Sequence, residues 1–567
     1  MASIRIPAAL ATASILLAAA SAHAQTATAG TPVSDTHLAD ESHAGVLADG
    51  TGGAYVGYKI AYRSASFPAE IAVARVLPSA GRHPDWSPLP MTPAGSLAQT
   101  NPPGPSRLLR APQGEVLAFA DFGTTSTPQD VVRERATLGA DPAYPGFKPS
   151  YSYNVFNVVS RSDGGALILS KALGSINLLA TVVSPSGAGT EVFTPLSLSN
   201  GVTATLGGDR LAAVPSGVDG GIAVILLPQI NLSATGIDMV AVRVDGTGHP
   251  VWLPAHRVVT SAPRDQMEEV AVSDGADGVI IAWRDDQNIP TGSDIYTVRL
   301  LSTGAVATGW GGGKTIAMVA GAQYAPSIAS DDAGGAWFAW VDERNLMLGG
   351  TDIYISHLLA NGTLAAGFVA NGRALCDQPG DQTAVQLARD GSGGCFAVWL
   401  DARDGEADLY AQHLNAAGDP TAHWAAGGTA VCTDGTAQEL PAIDLVSTGR
   451  AITAWNDRRT GASIVYAAAL DAGLGVLAVP RDAGPRLALA PVANPARDAL
   501  ELRLDAADAG DVRVTLFDVS GRVRAERTLA GPARERSLRF VGLPPGLYLA
   551  RASQSGSTTL TRVAVLR

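Results

Sequence analysis

The sequence predicts an all-β protein: an eight-bladed β-propeller, or a seven-bladed one, followed by a small C-terminal β-sandwich. Three observations predict it. First, the phrase GGAWFAWVDERNLMLGGTDIYISHL at 334–358 returns as GGCFAVWLDARDGEADLYAQHL at 393–414. A long sequence that repeats itself is a modular array. Second, each copy holds about four short runs rich in β-branched and aromatic residues, and none carries a helical period. Third, 63 Gly and 35 Pro in 567 residues supply the turns that many short strands need.

Taken in chain order, the first element lies outside the fold. Arg5, an apolar run over 8–20 and the small residues Ala22 and Ala24 read as a secretory signal peptide spanning 1–24. No later apolar run approaches the roughly 20 residues needed to cross a bilayer, so no transmembrane span is expected. Residues 25–36 read as a linker. Export permits a disulfide, but Cys376, Cys395 and Cys432 are odd in number. Net charge is −12, with no long basic run, which argues against nucleic acid as a partner.

The repeats follow, over 37–480. A bulky residue closes an apolar run in each copy: Trp283, Trp340, Trp399 and Trp455, spaced 57, 59 and 56 apart. Weaker copies place Tyr58, Phe119, Leu169 and Ile225 in the slot, giving eight in all. Four antiparallel strands in about 57 residues make one propeller blade. A lone blade cannot hide both faces from water, whereas stacked blades can. That explains large rings at fixed positions.

Repeated polar residues are expected to build blades. Asp342 and Arg344, Asp401 and Arg403, and Asp457 and Arg459 follow their tryptophans at one offset. Asp and Arg two apart can bind their own turn and each other. A basic slot also recurs, at Arg75, Arg243, Arg299, His357 and His413. It either lines a channel and attracts anions or forms an ion-paired face.

Residues 481–490 read as a linker, and 491–567 lack the repeat. ALELRL and VRVTLF alternate strictly, and the turns DVSGR and LPPGLY separate strands. Six or seven strands in this length suggest an immunoglobulin-like sandwich. This tail resembles the C-terminal sorting domains of the bacterial type IX secretion system and is similar to FlgD-type immunoglobulin-like modules. The matching residues are Asn494 and Pro495, Asp518 with Gly521 and Arg522, Gly546 to Tyr548, and Arg562 to Val565. The family usually has Lys where Arg562 stands. The resemblance implies export to the surface of a Gram-negative cell, anchored or released, with the export machinery as a partner.

The segment Ser330, Asp332, Gly334 and Trp337 resembles the Asp-box of sialidase-like propellers, departing at Ala336 where Thr is expected. In that family the box is a structural turn. No GxSxG, HExxH or phosphate-loop motif occurs. Asp401, Asp404, Glu406 and Asp408 share one loop and are the candidate calcium ligands, though they depart from the Asp-x-Asp-x-Asp-Gly pattern. No other cofactor and no catalytic residue is indicated. Two function classes remain. One is a secreted, non-enzymatic scaffold that binds a glycan or an envelope protein. The other is a sialidase-like hydrolase or lyase, which would need arginines from several blades converging with a Tyr–Glu pair.

Overall fold

The computed structural model describes most of residues 30–80, 153–195 and 211–477, shorter stretches between 90 and 134, and most of 488–566. The predicted leader at 1–24 lies outside the described residues, as do Asn494, Pro495 and Gly521. The chain divides into two compact units, Met1–Val479 and Pro480–Arg567.

The first unit is built of antiparallel sheets, eight of them among the described residues. Six have four strands in plain chain order, the simplest meander. The first strands of the eight sheets are Ala39–Ala48, Arg107–Arg110, Tyr153–Ser160, Leu211–Pro215, Gln266–Ser273, Gln323–Ser330, Gln382–Arg389 and Gln438–Ser447. Each touches the next in this order, and Gln438–Ser447 returns to Ala39–Ala48. Sheets whose first strands form a closed circuit are radial blades around an axis, the β-propeller arrangement.

Burial between neighbouring sheets supplies the core. Trp283, Trp340, Trp399 and Trp455 sit on second strands and are at most 1% exposed. Each packs on the preceding sheet: Trp340, for example, shares a cluster with Ile280 and Ala282. A fully buried Trp hides about 150–250 Å², which contributes at most about 4–6 kcal/mol. Ile225 occupies the same slot, against Leu167 and Leu169. Counting from the turn glycine, the slot in the third sheet falls on Ser170, not Leu169. Gly165 corresponds to Gly278 because Arg161 N–H bonds its carbonyl just as Asp274 N–H bonds that of Gly278. Leu169 therefore faces the following sheet.

The 25–36 segment is not simply a linker. Thr31–Pro32 pairs with Ile464–Asp471 as an outer strand of the last sheet, Thr31 opposite Ala467. Val33 N–H adds a bond of 2.8 Å to Val465 O. The cause is a residue of the repeat. In complete copies a glycine lets the six-membered ring of the slot Trp lie against the backbone: a Cβ on Gly428 would stand 2.4 Å from Trp399 Cζ2. Gly30 does this for Trp455, where a Cβ would stand 2.3 Å from Cη2.

The second unit has a three-stranded sheet (Ala488–Pro491, Ala499–Ala506, Ala533–Val541) and a five-stranded one containing Val512–Asp518, Gly546–Gln554 and Ser557–Leu566. Alternation puts Leu500, Leu502 and Leu504 of the first into one core with Val512, Val514, Leu516, Ala550 and Val563 of the second. All three cysteines are buried free thiols, with no disulfide among them.

Candidate functional site

Most of the repeated polar residues are occupied in building the sheets. In four of the sheets one carboxylate organises the backbone at the turn after the inner strand. Asp331 Oδ1 accepts the N–H groups of Ala333 and Gly335, each at 2.8 Å. Asp49, Asp274 and Asp390 do the same in their own turns. The second oxygen faces the basic slot of the third strand. Arg75 and Arg299 donate Nε–H to Asp49 and Asp274 at 2.8 and 3.0 Å. His357 and His413 Nε2 lie 3.1 and 3.0 Å from Asp331 and Asp390. Arg243 reaches Ser216 Oγ instead, at 2.8 Å. The basic slot is thus a paired face in these sheets.

At the opposite end of the sheets a second clasp recurs. Trp340 Nε1 donates to Asp342 Oδ2 at 2.8 Å, and Arg344 binds the same carboxylate through Nε and Nη2. The Arg344 guanidinium lies 3.7 Å from the Tyr354 ring centroid. Trp399, Asp401, Arg403 and Tyr410 repeat the arrangement. In the last sheet Arg459 takes Asp457 and covers Tyr466, and among the described residues Trp455 Nε1 finds no acceptor. A residue type that sequence reading passed over completes this end. Gln266, Gln323, Gln382 and Gln438 each donate Nε2–H to two carbonyls of the preceding loop, for Gln382 those of Gln378 and Gly380 at 2.9 Å. Each stands 17 residues before its Trp, and that constant offset is the signal that reveals it.

Function is sought where the repeat is broken. Near the ends of the inner strands lies a cavity of about 830 Å³, lined by four consecutive sheets. Val272, Ile328, Leu387 and Ile443 form its apolar wall, and Asp332, Arg389 and Asp444 supply charge. In the turns of Asp49, Ser216, Asp274 and Asp390 the second residue is a left-handed glycine: Gly50, Gly217, Gly275 and Gly391. Asp332 holds that place in its own turn, with φ 59°. A side chain there costs strain that glycine avoids. Its carboxylate accepts Nη1–H of Arg389 from the next sheet at 2.5 Å. The Asp-box resemblance assigns the structural role to Asp332, but Asp331 holds the turn and Asp332 turns outward to Arg389. Asp444 accepts Ala48 N–H at 2.9 Å across the seam between last and first sheets, and Leu445 N–H at 2.9 Å. Burial pushes the Asp444 carboxyl above its ordinary value.

A second departure lies where the inner strands begin. Glu268 fills the left-handed bulge position that Ala325, Ala384 and Leu440 hold in the following sheets, and its carboxylate accepts Arg284 Nη1–H at 2.9 Å and Ala325 N–H at 2.6 Å. Burial and the hydrogen-bonded, charged Glu343 raise the Tyr324 hydroxyl above its ordinary range, with Asp381 and Glu268 adding to the effect.

The loop of candidate calcium ligands is not convergent. Asp401 is committed to Trp399 and Arg403. Burial, then the negative charges of Asp404, Asp401, Glu406 and Asp434, push Asp408 up to about 6. Among the described residues no three His, Cys, Asp or Glu side chains are grouped to hold a metal ion. In the second unit Arg522 N–H bonds Asp518 Oδ1 at 3.0 Å, and Gly546 opens the strand carrying Tyr548. Tyr548 is buried and donates its hydroxyl to Pro544 O at 2.7 Å.

No family model and no curated protein matches the chain. Among solved structures it is similar to an ulvan lyase of a polysaccharide lyase family (10% identity, TM-score 0.40, covering 79% of this chain and 97% of that one). A protein of unknown function from Dyadobacter fermentans shares 10% identity at TM-score 0.37 over 78% of this chain and 97% of its own. An α-L-arabinanase from Penicillium chrysogenum shares 9% at TM-score 0.33 over 65% and 92%. These likenesses are too distant to bring an activity with them.

Proposed function

We propose that the chain is an exported, eight-bladed β-propeller that binds a ligand in the axial cavity without turning it over. Its immunoglobulin-like tail then serves export or anchoring at the outer surface of a Gram-negative cell, with the export machinery as that module's partner. One observation carries the binding reading. The charged groups that break the repeat, Asp332, Arg389 and Asp444, come from three consecutive sheets and line one cavity. Pockets of this size that combine apolar walls with placed polar groups suit a small ligand or a glycan segment. Support for the tail is the Tyr548 hydroxyl, bonded back to a carbonyl four residues upstream as in the tyrosine corner of immunoglobulin-like sandwiches.

Catalysis has less support at the cavity. Among the described residues, the two arginines lining it are already engaged by aspartates, Arg299 by Asp274 and Arg389 by Asp332, and neither Tyr nor Glu lines it. A hydrolase or lyase reading draws on the other end of the axis, where Tyr324 and Glu343 lie together near Glu268. Its weakness is that Glu268 and Asp286 already hold Arg284. The purified mature chain should be screened on a glycan array and against envelope proteins. The same glycans should be incubated with it and assayed for new reducing ends and unsaturated products. Binding without products supports the scaffold. Products that disappear in Tyr324→Phe would establish the enzyme instead.

A further inference from the structure

We infer that the cavity's ligand is an uncharged, hydroxyl-rich chain, a neutral saccharide rather than an acidic one. This rests on the reading of the cavity as a ligand site. Among the described residues, Asp274, Asp332 and Asp444 face the cavity with Arg299 and Arg389 against them. Arg299 is only 12% exposed and committed to Asp274 at 2.9 Å. An anionic ligand would have to pull Arg389 from Asp332 and then lie beside two unneutralised carboxylates. A cationic ligand gains little from Asp444, since each of its oxygens already accepts a backbone N–H.

The hydrogen-bonding inventory points the same way. Arg389 is 54% exposed, and among the described residues its Nε and Nη2 have no acceptor. Asp332 Oδ1 is taken by Arg389, leaving Oδ2 to accept a hydrogen bond from a ligand. Ser273 and Ser330 accept a backbone N–H from Gly275 and Asp332, so each hydroxyl can still donate. Adjacent donors and acceptors a few ångströms apart complement neighbouring hydroxyls, each of which both donates and accepts. The aliphatic wall of Val272, Ile328, Leu387 and Ile443 suits the C–H faces of sugar rings.

Asp332 is the informative residue. Its position favours glycine on conformational grounds, so glycine can replace it without disturbing the turn. The test is titration calorimetry on the full mature chain. The probes are neutral pentasaccharides (cello-, laminari-, xylo- and manno-series) and acidic ones (oligogalacturonate, sialylated lactose). At least one neutral series should bind. Its affinity should fall at least tenfold in Asp332→Gly and in Arg389→Gln, with thermal unfolding of both variants close to wild type. If only acidic probes bind, and Asp332→Gly strengthens them, the ligand class is overturned while the cavity reading stands. If no probe binds, or binding ignores both substitutions, the cavity reading itself falls. Ser330→Ala serves as a third variant should either charge substitution fail to fold.

Discussion

Asp331 and Asp332 are neighbours in one turn, yet the structure assigns them opposite energetic roles. Asp331 is 3% exposed at its side chain, and its carboxylate satisfies two backbone donors and faces His357. In Asp331→Ala both donors lose their acceptor, the Gly335 N–H where water cannot easily reach and the Ala333 N–H nearer to solvent. A buried unpaired donor costs about 1–3 kcal/mol and a part-buried one less, so the loss is roughly 2–4 kcal/mol in all. Asp332→Gly removes an ion pair whose side chains are 54% and 29% exposed. Such a pair contributes about 0.2–1 kcal/mol. The added freedom of glycine in the unfolded chain costs about 0.5–1 kcal/mol more. Relief of the left-handed backbone returns about 1–2 kcal/mol. The net effect is within about 1 kcal/mol of zero. Urea unfolding followed by circular dichroism measures both. If Asp332→Gly destabilises as much as Asp331→Ala, Asp332 is structural and its place in a ligand site is lost. If Asp331→Ala costs under about 0.5 kcal/mol, the account of the turn fails.

Other expectations follow from the same geometry. Trp340→Phe should cost more stability than Trp455→Phe, because only the former loses an indole hydrogen bond, the one to Asp342; equal losses in thermal unfolding would contradict this. Asp390 should contribute to acid resistance. Burial raises its carboxyl, but hydrogen bonds from His413, Ser392 and the turn amides outweigh that and hold it at about 2, below the ordinary 3.8. Its stabilisation is therefore complete above about pH 4 and is lost as pH falls toward about 2, so Asp390→Asn should flatten the wild-type decline in that window. Fluorescence-detected acid titration of both proteins checks the slope. The native thiols should resist alkylation at pH 8, since burial pushes Cys376 up to about 12 and Cys432 to about 11. Mass spectrometry after iodoacetamide should show no adduct without denaturant, and prompt labelling would refute the burial.

Large rings made the sheets legible. Trp283, Trp340, Trp399 and Trp455 are bulky, spaced alike and buried for the reason inferred from sequence. The slip at Leu169 has the same origin. A search for bulk chooses Leu over Ser170, although backbone register, not size, fixes the slot. Gln382 and its counterparts went unseen because a polar residue before a strand looks like a loop. The N-terminal strand left a trace as well: Gly30-Thr31-Pro32-Val33 echoes Gly428-Thr429-Ala430-Val431, a likeness visible only once the last sheet is known to take Thr31–Pro32, not a strand of its own copy, opposite Tyr466 and Ala467. The cavity was the least legible part. Asp332, Arg389 and Asp444 stand 57 and 55 apart, one per repeat, and only the circular arrangement brings them to one space.

The pairing of Thr31–Pro32 with Ile464–Asp471 joins residues synthesised more than 430 positions apart. A ribosome making this chain must release nearly the whole of the first unit before its opening residues find their partner. Whatever order the other sheets form in, the circle stays unlocked until the eighth has formed. A chain truncated before Ile464 would therefore leave Gly30 to Val33 without a dock and the Ala39–Ala48 strand without its last neighbour's complete sheet. Completion of synthesis, rather than any single contact, is what fastens the wheel.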